Sequence, residues 1–399
     1  MSRNLRPLSV AFAFCFATGT LFAQPQFFQI EAPDGGLYPE LNGLSPDGTV
    51  AVGHYYIPDR GLWPMRWTAA EGSVDISGDV TDAVEANCCS GGGLAILGFG
   101  RAGPWRWTAE TGIVPLPPAP GSVIAPYAVS EDGLAVCGSS ADTSARAFRW
   151  TEAVGYQNIP VLGPNPLALE MSADGSTIVG VFLPAGTFLW RAGQGTTEIP
   201  LTGEYSPYAM GVSYDGRYVV SASNRTAARY DTTSGEVTLL TWPDGTPLEA
   251  RAVAVSQDGE TIVANAHDDL GVSYLWDPVR GARVLTLALR QEYGLDVGIV
   301  NHVRGMSADG AVIAGKDWVV NLRAPQPYTG RPPCQGDIDG DGRVGLTDLA
   351  LVLAEWRRPQ PTPQADLTGD GIVDQLDLNI VLVDFGDNCT RILMPDAVQ

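Results

Sequence analysis

The chain has 399 residues, among them 47 Gly and 30 Pro, and only 17% are charged. That composition suits many short strands and turns, and the length admits one large β domain plus a small module. A formal net charge of −21, with Lys316 the single lysine, excludes ordinary nucleic-acid binding, which needs clustered Lys and Arg against phosphates.

At the N-terminus, Arg3 and Arg6 precede an apolar stretch from Leu8 to Phe16, and Ala23 offers a cleavage site. Residues 1–23 are therefore expected to be a secretory signal, too short for a membrane span. No later stretch approaches the roughly 18 apolar residues of a span. The mature protein is expected to be secreted or at the cell surface, without a transmembrane segment, and able to form disulfides.

From residue 24 to residue 322 one pattern recurs. It begins with S-x-D-G at Ser45, Ser130, Ser172, Ser213, Ser256 and Ser307, with a degenerate SGGG at Ser90. The seven copies are spaced by 45, 40, 42, 41, 43 and 51 residues. A mean period of about 44 residues falls in the range of one propeller blade. Each turn is followed by a run of small and β-branched residues, such as TVAVG or STIVG. A strand ending in an aromatic comes next, at Trp67, Trp107, Trp150, Trp190, Tyr230 and Trp276. A Gly stands five residues after each of these, from Gly72 to Gly281, and a short apolar strand follows it. Each unit thus reads as four strands, with Asp-Gly marking a tight hairpin.

The last copy lacks its final strand, whereas Gln26–Glu31 is a lone strand before the first turn. That segment is expected to complete the seventh blade and close the ring, which removes free sheet edges. The expected fold is all-β, a seven-bladed β-propeller closed by its N-terminal strand; six blades follow if the SGGG copy is not one. The S-x-D-G turns and aromatic-Arg-Trp strands of residues 26–322 resemble the extracellular HAF-type repeat family. That resemblance implies a fold more than a chemistry.

The ring offers little sign of catalysis. His54, His267 and His302 fall in different repeats without metal-ligand spacing, and are expected on the surface or at strand ends. G-x-S runs such as GLSPDG and GMSADG lead into x-D-G, one residue too long for a nucleophile elbow. Sialidase-type S-x-D-x-G turns differ by one residue as well. The repeated Ser and Asp read as turn-capping groups. The periodic Trp residues read as packing between blades, with a sugar-stacking platform as the alternative. Cys88, Cys89 and Cys137 allow one bridge between neighbouring blades with a thiol left over.

The tail is different in kind. GDIDGDGRVGLTDLALVL places oxygen donors at calcium-loop positions 1, 3, 5, 7 and 12: Asp337, Asp339, Asp341, the carbonyl of Arg343, and Asp348. ADLTGDGIVDQLDLNIVLV repeats the set with Asp366, Thr368, Asp370, the carbonyl of Ile372, Asp374 at position 9, and Asp377. Gly342 and Gly371 stand at position 6 of each loop, where the turn is sharpest. Two such loops, each running into an apolar helical stretch, are expected to hold two Ca²⁺ ions. Pro-rich segments take the place of the entering helices, and Asp replaces the usual Glu at position 12.

That departure resembles dockerin type I modules, which keep each loop and its exiting helix; thrombospondin-type repeats lack the helices. The resemblance covers residues 334–390, after a Pro-rich linker at 323–333 and before a tail at 391–399. Cys334 and Cys389 flank the module and are expected to staple its ends, as suits a small exported unit with a thin core. The resemblance implies a cohesin-like partner on another exported protein, often in polysaccharide degradation. It places partner contacts at loop positions 10 and 11, Leu346–Thr347 and Gln375–Leu376, where this sequence is more apolar than the family's Ser-Thr pair.

The functional expectation is an exported, non-catalytic binding or scaffold protein, monomeric in its ring, presenting a carbohydrate or protein site on one face. A glycoside hydrolase or lyase is the alternative, and would need two carboxylates converging at the ring centre. A surface-layer or matrix protein is a third reading.

Overall fold

A computed structural model of the chain describes residues 25–78, 80, 83–117, 124–140, 146–161, 163–201, 210–223, 225–267, 271–295, 297–298, 300–323, 336, 338, 343–358, 365–367, 372–383 and 385. Seven four-stranded antiparallel sheets form the blades of a propeller. Six of them run in chain order, over 37–75, 83–115, 124–158, 167–198, 211–239 and 250–284. The seventh takes three strands from 305–321 and its outer strand from Gln26–Gln29, which pairs with Trp318–Asn321. The degenerate copy at Ser90 is a full blade, so the ring has seven blades rather than six.

Each S-x-D-G joins the first two strands of a blade, and its chemistry is entirely local. In the fifth blade the Ser213 hydroxyl donates to Asp215 at 2.7 Å and accepts from the Tyr218 N–H at 2.8 Å. Asp215 accepts in turn from the Arg217 N–H at 3.0 Å. All seven of these Ser residues are buried. The turn Gly has positive φ, as at Gly216 with φ 76°, where a Cβ would press on Thr177 of the preceding blade. The second blade lacks the turn Asp, and Asp47 of the first blade substitutes by accepting from the Gly92 N–H at 3.0 Å.

The residue between Ser and Asp joins one blade to the next. N–H groups of Gly91, Glu131, Ala173, Gln257 and Ala308 donate to carbonyls of Glu131, Ala173, Tyr214, Ala308 and Pro46 at 2.7–3.2 Å. These bonds run around the mouth of the central channel. Arg149 and Arg229, from the aromatic-ended strands, reach the turn carbonyls of Gly175 and Gly259 in the following blades.

Seven apolar clusters fill the seven interfaces between neighbouring blades. The repeated aromatics lie in them: Trp67 between blades seven and one, Trp150 between two and three, Trp276 between five and six. They are packing residues, and the sugar platform is not formed by them. Near the channel, the first strands of blades one to four and six carry a register shift three residues before the turn Ser. Such bulges re-aim side chains.

The all-β, seven-bladed expectation is borne out, with one helix added: α1 (Leu285–Tyr293) follows the sixth blade and ends on Gly294 in the left-handed region, φ 67°. Its nine residues account for the long spacing between Ser256 and Ser307. Glu292 of α1 pairs with Arg280 and Arg283, which fastens the helix to the last hairpin of that blade. One expectation is corrected: Cys88, Cys89 and Cys137 are free thiols rather than one bridge and a leftover thiol. Cys89 packs at the interface of blades one and two, Cys88 at that of two and three, and Cys137 at that of three and four.

Among the described residues, no helix is long and apolar enough to cross a membrane.

Candidate functional site

The tail forms two short helices, α2 (Leu346–Ala354) and α3 (Gln375–Val383), which pack on each other. Each starts inside its loop, at position 10, because the last loop positions already have helical geometry. Val344, Val352, Ala365, Val373 and Val381 make their shared core, with Trp356 and Leu378 against it. Val344 and Val373 are the residues at position 8 of the two loops, and the Arg357 N–H donates to the Val373 carbonyl at 2.8 Å.

The two position-12 carboxylates occupy equivalent places. Asp348 is 1% exposed and Asp377 is 0% exposed. Asp348 accepts from the position-9 N–H of Gly345 at 2.8 Å, and Asp377 from that of Asp374 at 2.8 Å. Asp348 also accepts from the Ile338 N–H at 2.7 Å, which draws the start of the loop onto its end. A carboxylate buried beside a valine core needs compensation, and a hard cation bound by loop oxygens supplies it. The residues described thus fit a calcium loop. Asp337, Asp339, Asp341, Thr368 and Asp370, together with Cys334, Cys389 and linker residues 324–333, lie outside the described residues. Leu346 and Thr347 are exposed at the start of α2, whereas Gln375 is half-buried and bonds Asn379 at 3.0 Å.

Residues 335–383 match the dockerin type I domain. No curated protein matches the chain at a significant level. The match ends on the last residue of α3, so the dockerin module is the pair of loops and helices just described.

In the ring, the prominent feature is the channel. A cavity of about 520 Å³ runs along the axis, lined by the first strands of all seven blades. Two residues before the turn Ser, the blades carry Gly43, Cys88, Ala128, Glu170, Gly211, Ala254 and Gly305. Small residues are required there because the strands converge: a Cβ on Gly211 would lie 2.4 Å from the Val253 carbonyl oxygen. Glu170 breaks the pattern, and burial pushes its carboxyl up to about 8 against an ordinary 4.5. Its only hydrogen-bonding influence is the Met171 backbone, and among the described residues no other charge acts on it.

The two ends of the channel are charged differently. At the S-x-D-G mouth, the turn residues Asp47, Asp174 and Asp309 are held below the usual range by hydrogen bonds from Ser and backbone that outweigh their burial, and Asp132 chiefly by its Ser130 bond. Glu131 also faces this mouth and is raised by burial and by Asp47. Towards the other end, Glu40 accepts from Arg304 at 2.6 Å and pairs with Lys316 at 3.4 Å. Beside them His54 bonds Asn42 at 3.3 Å and stands 3.7 Å from Glu85, and burial lowers its pKa. His54 is therefore a half-buried, mid-strand residue rather than a strand-end one. His267, half-buried near Arg225, and His302, exposed, stand apart from it. Among the described residues no three His, Cys, Asp or Glu gather as a metal site.

Sequence reasoning missed Glu170. The signal was available: aligning the seven copies on their turn Ser leaves one carboxylate in a column of Gly, Ala and Cys.

Proposed function

We propose that the chain is an exported, non-catalytic binding or scaffold protein, assembled in calcium onto a cohesin-like module of another exported protein. The observation that carries this reading is the dockerin match over 335–383, joined to two loops whose terminal carboxylates are buried in the same geometry. Two Ca²⁺ ions would be held by the loop oxygens of Asp337, Asp339, Asp341 and Asp348, and of Asp366, Thr368, Asp370, Asp374 and Asp377, with the carbonyls of Arg343 and Ile372. Leu346, Thr347, Gln375 and Leu376 are the proposed contacts with the partner, and Cys334–Cys389 the proposed staple.

The ring is then the cargo, and a HAF-type origin for its repeats rests on their motifs. Closure by Gln26–Gln29 gives the seventh blade the same four strands as the other six, which supports a monomeric ring. Its expected setting is polysaccharide breakdown, with a carbohydrate on one face.

The test is capture of purified cohesin modules by the full mature chain, in calcium and in chelator. Retention in calcium alone supports docking. No retention in either buffer, with calcium binding intact by titration, overturns it.

A further inference from the structure

The channel wall combines three features that point to one ligand chemistry. The first is an apolar body: Leu169, Met171, Met210, Val253 and Met306 line the cavity, with Tyr127 among them. The second is a carboxyl group without a cation. Glu170 lies in the wall, on the strand Leu167–Met171, directly after the register shift that turns this segment toward the axis. The third is a surplus of acid along the lining, with Glu85, Glu131 and Glu170 against Arg304, which is itself paired with Glu40. One oxygen of Glu131, Oε2, is buried with no hydrogen-bond partner.

A small residue at position 170 would fit the ring as it does in the other six blades. A carboxyl there carries a desolvation cost that packing does not require. That cost is recovered when a cation enters beside it. The S-x-D-G mouth, ringed by ionised turn carboxylates, would draw cations toward the opening.

We propose that the central channel binds a primary organic ammonium ion with an apolar body, its charge set against Glu170. The exchange balances: the neutral carboxyl of Glu170 releases one proton to solvent as the ammonium enters, and the channel's charge is unchanged. Cys88 on the first strand of the second blade and Cys137 on the second strand of the third blade also interact with Glu170, and burial keeps both as neutral thiols. Met171 supplies the nearest backbone donor, and Glu131 and Glu85 lie along the same cavity. The inference deepens the binding role proposed for the ring and does not depend on docking. Its failure would leave calcium-dependent capture untouched, and failure of capture would leave the channel untouched.

The probe is n-pentylammonium, with n-pentanol as its neutral counterpart, titrated calorimetrically into the full mature chain in calcium. The expected result is saturable binding of the ammonium, tighter by about tenfold at pH 7 than at pH 6, because the proton competes for the same carboxylate. Heats measured in buffers of different ionisation enthalpy should report release of close to one proton at pH 7. Glu170→Gln, which mimics the neutral acid and should fold, is expected to weaken binding at least tenfold and to abolish its pH dependence. Equal binding of pentanol, or pH-independent binding with no proton release in the unaltered chain, overturns the proposal. So does unchanged affinity in Glu170→Gln, or no binding at millimolar probe.

Discussion

Replacing Glu170 by Gln removes a carboxyl that burial keeps protonated up to about pH 8. In the unfolded chain the same group titrates at its ordinary 4.5. The folded state therefore binds the proton more tightly, and stability falls as pH rises from about 4.5 to about 8. Each unit of that window costs about 1.4 kcal/mol. At pH 5 the loss is about 1 kcal/mol, and at pH 7 about 3 kcal/mol, from the two titration curves. Glu170→Gln has no such loss. Its advantage over the unaltered chain should thus grow by about 2 kcal/mol between pH 5 and pH 7. Urea unfolding of the ring at both pH values, at fixed calcium, measures this directly. A constant difference between the two proteins across that range would refute the placement of Glu170 in a desolvated wall.

Other consequences follow from the turns, the closure and the thiols. Ser213→Ala removes a buried hydroxyl that bonds both Asp215 and the Tyr218 N–H, and should cost about 1–3 kcal/mol in urea unfolding. Gly180→Ala would set a Cβ 1.9 Å from the Leu167 carbonyl oxygen, so a loss above about 3 kcal/mol is expected, read as a fall in Tm. Removing Gln26–Gln29 exposes the edge of the seventh blade and should produce oligomers on size exclusion, where the intact chain is expected to run as a monomer. Iodoacetamide should modify Cys89 and Cys137 only after denaturation, by intact mass, since both thiols are buried and raised in pKa.

Much of the ring is legible in the sequence because its turns carry their own chemistry. Ser and Asp satisfy the hairpin within five residues, so the motif reports local structure faithfully, and the orphan strand at Gln26 had only one vacant blade to join. Helix α1 was not legible from motifs, since it lies between units; only the extra spacing before Ser307 betrays it. The thiols misled because neighbours in sequence face different interfaces: adjacent Cys88 and Cys89 point to opposite sides of their strand. The channel depends on which residue of each first strand the bulge turns inward, a register that no single repeat reveals. In the tail, ligand spacing alone marked Asp348 and Asp377, and their burial gives that spacing a physical reason.

The most direct test of the account is capture of a cohesin module by the full chain carrying Asp348→Ala and Asp377→Ala, beside the unaltered chain, in calcium. The account predicts retention by the unaltered chain, loss in chelator, and loss in the double variant with the ring's unfolding transition unchanged. Capture that persists in chelator or in the double variant would contradict calcium-dependent docking.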